Sequence, residues 1–304
     1  HFSKTFRFTD INYSVASDED QQRMILTYSA LLNSLDPGSM TKITVNNRPF
    51  NQKTLEQSIL MPMKGDFRDI YRAEYNQMMI GKASGANGII QEKYVTLSVF
   101  RKDVEEARSY FSRMGASLSA RLADLGSKCT ELDAVEKLRI LHDFYRPGEE
   151  NRFHLDLKEF MRSGEDFRDY ICPDSMERHS DYLKLGETYC RVLFLKHYGS
   201  FIRDNIVAAL TNIPRNMMVS IDIISIPLEE AIKEAEKRLL GVETNIANWQ
   251  RRQNENLNFS SIVPYDMDAQ RNESREILSD LTTRDQQMMQ AVVTMVLTAD
   301  SKEE

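Results

Sequence analysis

The 304-residue chain sets 39 Lys and Arg against 46 Asp and Glu, a formal net charge of −7. This acidic balance offers no basic footprint for bare nucleic acid, and no run of about 18 apolar residues is present to span a bilayer. At 41% hydrophobic and 28% charged the chain can bury a core and stay in solution. Its length suggests about two domains, no signal peptide is visible, and the three scattered cysteines suit a reducing compartment.

Residues 2–13 alternate, with Phe2, Lys4, Phe6 and Phe8 on one face, which predicts a strand. The chain opens at His1 inside this pattern, and we expect it to be a piece of a longer protein. Ser17 followed by Asp18, Glu19 and Asp20 reads as a helix start, with carboxylates where the dipole favours them. Met24, Tyr28, Leu31, Leu32 and Leu35 form its apolar stripe, and Asp36-Pro37-Gly38 stops it. A strand over 40–47 follows, with Ile43 and Val45 inward. Then come a helical turn over 54–60, a helix over 66–80, a loop over 81–88 and a strand over 91–100.

Asp103 caps a helix whose apolar positions are Val104, Ala107, Phe111, Met114, Leu118, Leu122 and Leu125. After a short strand near 128–132, Asp133 caps another helix, with Val135, Leu138, Leu141, Phe144 and Tyr145 inward. The breakers Arg146-Pro147-Gly148 suggest a boundary near 150, giving lobes 1–150 and 151–304. Residues 181–226 read strand, strand, helix, strand. Cys190, Val192 and Phe194 on one face, with Tyr189, Leu193 and Leu195 on the other, predict a strand buried on both sides. The next strand alternates through Met217, Val219, Ile221 and Ile223. If the two strands share a sheet, their crossover should be right-handed.

Pro227 opens a helix in which Leu228, Ile232, Ala235, Leu239, Val242, Ile246 and Trp249 step four and three, an a/d pattern over three heptads. A second helix over 268–285 with Ile277, Leu278 and Leu281 returns. The pair predicts a long antiparallel hairpin over about 228–285, standing on the second lobe. Residues 288–297 read as a last strand closing the sheet. The fold class is therefore α+β: two lobes of mixed sheet with packed helices, plus the hairpin.

Motifs for chemistry are sparse. Gly81-Lys82-Ala83-Ser84 lacks the earlier glycine and the following Ser or Thr of a phosphate loop: position 76 is Asn and position 83 is Ala. His154 and Asp156 sit two apart without further ligands, His179 lies between Cys172 and Cys190 without a Cys-x-x-Cys pair, and His142 belongs to a helix surface or core edge. The thiols read as three buried cysteines rather than a Cys172–Cys190 bridge. Glu149-Glu150 and Glu229-Glu230 read as solvated faces, the latter favouring a helix start. We expect no catalytic, cofactor or metal residues. The hairpin stripe either packs internally or meets a partner, and Leu239, Val242, Ile246 and Trp249 are its candidate partner-binding residues. Met288, Met289 and Met295 carry the same two readings.

Several segments, in order, resemble the conjugative-transfer ATPases of type IV secretion systems, in the branch carried by Gram-positive mobile elements. They are Phe2-Ser3-Lys4-Thr5-Phe6-Arg7-Phe8-Thr9-Asp10-Ile11-Asn12-Tyr13, then Tyr71-Arg72-Ala73-Glu74-Tyr75 with the 81–88 loop and Lys93-Tyr94-Val95-Thr96. Asp169-Tyr170-Ile171-Cys172-Pro173, Tyr189-Cys190-Arg191-Val192-Leu193-Phe194-Leu195 and Thr294-Met295-Val296-Leu297-Thr298-Ala299-Asp300 complete the set. The resemblance covers nearly the whole chain. It implies an amino-terminal domain followed by a RecA-like motor beyond 304 that carries the Walker motifs and uses ATP and magnesium. The fragment itself would be no enzyme. It would dock the bacterial motor on membrane channel subunits during DNA transfer and support a homo-oligomer. Its place would be cytoplasmic, peripheral at the inner face of the membrane. Two other readings are a nucleic-acid-handling module that contacts transferred DNA, and a small hydrolase with a carboxylate site.

Overall fold

A computed structural model of the chain describes residues 1–49, 60–84, 89–198, 206–255, 263–284 and 286–303. The architecture is α+β. The strands are β1 (Phe2–Phe8), β2 (Met40–Pro49), β3 (Ile89–Val99), β4 (Cys129–Glu131), β5 (Met176–Arg178), β6 (Leu183–Leu185), β7 (Thr188–Phe194), β8 (Met217–Ser225) and β9 (Met289–Ala299). The helices are α1 (Asp18–Asn33), α2 (Asp69–Ser84), α3 (Val104–Asp124), α4 (Ala134–Tyr145), α5 (Leu157–Ser163), α6 (Phe167–Ile171), α7 (Ile206–Thr211), α8 (Leu228–Glu255) and α9 (Tyr265–Thr283). The expected helical turn over 54–60 falls almost wholly outside the described residues, as do the second half of the 81–88 loop, the start of the helix read within 181–226 and most of the turn between α8 and α9.

Among the described residues all nine strands belong to one sheet, in the order β4-β1-β3-β2-β8-β9-β7-β6-β5. This replaces the two lobe sheets read from the sequence. Chain proximity divides the molecule into two units, each discontinuous. One comprises His1–Asn12, Lys42–Asp222 and Val292–Glu304, the other Tyr13–Thr41 and Ile223–Ala291. The cut expected at 150 falls inside the first unit. Arg146, at the end of α4, donates to the Cys172 carbonyl (2.7 Å) and pairs with Glu149 (3.0 Å) and Asp174 (2.7 Å), so the breakers there end a helix without separating lobes.

In the first unit, β1 is held on both sides, antiparallel to β3 (Phe6 opposite Val95) and to β4 (Phe6 opposite Glu131). Helix α3 begins at Asp103, whose side chain accepts from the Glu106 N–H at 2.8 Å. It buries Ala107, Tyr110, Met114, Gly115, Leu118 and Leu122, close to the predicted stripe, with Tyr110 in the place read for Phe111 and Val104 left exposed. Helix α4 starts with a full capping box between Asp133 and Glu136. Gly186, at φ +59, makes the turn that joins β6 to β7 antiparallel. Strand β9 pairs antiparallel with β7, Leu193 opposite Met295. It also lies next to β8, where the Thr298 N–H donates to the Asn216 carbonyl at 3.0 Å. The last strand therefore inserts between β7 and β8 instead of closing an edge. Strand β7 is not buried on both faces: Val192, Leu193 and Phe194 are 51%, 48% and 67% exposed.

The second unit gathers α1, α8 and α9, so the hairpin shares its unit with a helix from the start of the chain. Ser17 caps α1 by accepting from the Asp20 N–H (3.3 Å). Leu31 and Leu35 are buried, whereas Tyr28, Ile25 and Leu26 are exposed. The hairpin forms as predicted in type and approximate span. Ala231, Ala235 and Leu281 make its core, with Ile232, Ile277, Leu278 and Met288 packed around them. Small side chains here let the helix backbones approach closely. Arg238–Glu273 (3.3 Å) and Glu243–Arg275 (2.9 Å) bridge the two helices from the exposed side, each adding little.

Candidate functional site

The four stripe residues predicted to meet a partner do not share one environment. Ile246 is buried and Leu239 half-buried, which is what packing inside the hairpin produces. Val242 and Trp249 line a cleft of about 320 Å³ between α8 and α9, together with Arg252, Asp266, Met267 and Gln270. Its walls join one indole, one valine and one methionine side chain to polar and charged groups. Leu228, read as the first stripe position, is exposed.

A polar cluster in the first unit escaped the sequence reading. Arg48 on β2 lies 3.2 Å from Glu92 on β3 and 3.9 Å from Asp143 on α4. His142 Nδ1 lies 3.2 Å from Asp143. His142 is 4% exposed, its ring 5.1 Å from that of Phe153, so it is a core residue and not the surface or edge residue read from the sequence. Burial pushes the Asp143 carboxyl up, against the opposing pull of His142 and Arg48. Burial likewise raises the Tyr94 phenol, helped by the neighbouring Glu92. Beside these, the fully buried Asn47 donates to the Thr211 carbonyl at 2.5 Å, and Gln91 donates to both Asn47 Oδ1 (3.1 Å) and the Thr211 carbonyl (3.0 Å). The first group ties β2 and β3 to α4, and the second ties the same strands to α7. Each element contributes one to three residues, so no linear spacing signals either group.

The remaining candidates separate. Gly81 to Ser84 form the last turn of α2, not a loop. His154 is exposed, and Asp156 caps α5 by accepting from the Lys158 N–H (2.7 Å). His179 stacks on Tyr182 with ring centroids 4.3 Å apart. Among the described residues no group of three or more His, Cys, Asp or Glu is placed to hold a metal ion. The thiols are free, but only Cys190 is buried; Cys129 is intermediate and Cys172 exposed. Burial raises the Cys190 thiol above its ordinary value. Met288 packs against the hairpin core, the filling role of its two readings.

Exposed apolar side chains concentrate in two places of the first unit. One is the approach to α2 and its first turn, with Met61, Met63, Phe67, Ile70 and Tyr71. The other is the end of β7, with Val192, Leu193, Phe194 and the following Leu195. No helix among the described residues is long and apolar enough to cross a membrane. No family model matches the chain, and no curated protein matches it.

Proposed function

We propose that this chain is a non-catalytic amino-terminal platform of a type IV secretion ATPase, holding its motor domain against membrane channel subunits and supporting the oligomer during DNA transfer. The reading rests on the ordered resemblance of the sequence segments. Those segments fall on β1, α2, β3, α6, β7 and β9, four of them strands of the one sheet, so the resemblance lies in framework and not in a reactive pocket. The observation that carries it is the placement of large apolar side chains in solvent at α2 and β7, where contact with another chain would bury them. ATP and magnesium belong to the motor beyond 304, and the fragment works peripherally at the cytoplasmic face.

The test is sedimentation of the purified chain with inverted cytoplasmic-membrane vesicles from cells with and without the transfer apparatus. Binding is expected only where the channel subunits are present. Equal binding to both vesicle types, or ATP turnover by the chain alone, overturns the reading.

A further inference from the structure

We infer that the end of β7 with the following Leu195, residues 191–195, whose outer edge no strand among the described residues covers, pairs with the same edge of a second copy of this chain. The Leu195 N–H donates to the Val293 carbonyl at 2.9 Å, while the Val293 N–H donates to the Tyr198 hydroxyl at 3.1 Å, so Leu195 turns its N–H toward β9. Antiparallel ladders alternate, so Leu193 with Met295 and Arg191 with Leu297 are bonded pairs. Val192 and Phe194 then direct their N–H and C=O groups to the opposite edge. On that edge β6 reaches only to Cys190, which pairs with Leu183. Beyond Cys190 no described strand lies on that side of β7, opposite β9. An extended backbone matches two such sets of groups at strand spacing, and a strand is the occupant we infer.

The sequence of the edge selects the second copy. In an antiparallel arrangement Val192 pairs with Phe194 of the second copy and Phe194 with Val192 of the second copy, closing four main-chain hydrogen bonds. Leu193 meets Leu193 of the second copy at the centre, where side chains of a non-hydrogen-bonded pair come closest. Arg191 falls opposite Leu195 of the second copy, and its own Asp181 still holds it at 3.2 Å, so no like charges face each other. The exposed apolar side chains, Val192 and Phe194 on one face and Leu193 on the other, each acquire an apolar neighbour. The arrangement is isologous and closes as a dimer. Five residues a side is far below the roughly 20–30 of a standard interface, so the isolated pairing is weak, with Kd in the micromolar range or above. The proposal gives the oligomer of the preceding section a surface, and it rests on that reading only for its purpose.

Sedimentation velocity of the purified chain from ~5 to ~300 µM should show a concentration-dependent dimer. Val192→Pro and Phe194→Lys should shift its midpoint upward about tenfold or more. Val192→Pro leaves the β9 ladder intact because the Val192 N–H points outward, and Phe194→Lys places a charge on an open edge. In a Cys172→Ser background, mild oxidation should link Leu193→Cys about tenfold faster than Phe194→Cys or the exposed control Leu240→Cys, since only position 193 faces itself. A monomer across the whole range, or equal cross-linking at the three positions, overturns the proposal. So does association with anionic vesicles in place of self-association, lost in Phe194→Lys. Because the purified chain alone is used, failure of the platform reading leaves these outcomes unchanged.

Discussion

Gly115→Ala probes a close approach of helix α3 to strand β1. A Cβ at position 115 would stand 2.9 Å from Phe6 Cζ and 3.1 Å from Cε1. Carbon atoms prefer about 3.5–4.0 Å, so the ring must retreat by roughly half an ångström or more. Phe6 is 1% exposed, and its strand is held between β3 and β4, so neither the ring nor its backbone has free space to take up the shift. Overpacking of this kind costs about 1–3 kcal/mol. The helix gains about 0.5–1 kcal/mol from replacing glycine, which leaves a net loss of up to roughly 2.5 kcal/mol. Urea unfolding followed by far-UV circular dichroism should show a lower midpoint with an unchanged slope. In a Phe6→Leu background the clash disappears and Gly115→Ala should become neutral or stabilising, a coupling of about 1 kcal/mol or more across the cycle. A Gly115→Ala midpoint at or above wild type with Phe6 in place, or no coupling, refutes the packing argument.

Gly241, inside α8, has open space where a Cβ would go; Gly241→Ala should raise stability by about 0.5–1 kcal/mol, read from the same urea curves. The Asp143 carboxyl is raised above its ordinary value of 3.8, chiefly by burial, so the fold favours its protonated form. Its contribution is then fully present below that ordinary value and is lost as pH rises through the folded-state value. Asp143→Asn should therefore be more stable than wild type at neutral pH, with the difference shrinking toward acid; a neutral-pH loss that vanishes in acid would mean that the charge, held by Arg48, stabilises. Thiol labelling of the native chain should modify Cys172 first, Cys129 more slowly, and Cys190 only on unfolding, since Cys190 is buried and its thiolate disfavoured. DNA binding measured at low and high salt should be absent or weak; tight, salt-steep binding would favour the nucleic-acid reading instead.

Local signals fixed the elements. Ser17, Asp103 and Asp133 announce helices because a side-chain acceptor satisfies an N–H that the helix cannot, and each does so in the structure. The periodicity of 104–125 and of 228–249 marked helix faces because burial repeats with the turn, and Met114, Leu118, Ala235 and Ile246 are buried accordingly. What the chain alone could not reveal was which strands become neighbours. Pairing of β9 between β8 and β7 joins residues about a hundred positions apart, and nothing in a strand's own alternation encodes its partner. For the same reason the apolar end of β7 read as doubly buried and is exposed: hydrophobicity states a preference for burial, while β6 stopping at Cys190 determines whether it is met. The Arg48–Glu92–Asp143–His142 cluster was equally hidden, because it exists only where two strands and a helix converge. Caps and stripes act within a few residues and survive in the sequence; neighbours, edges and buried charge depend on long-range chain closure, which only the tertiary structure decides.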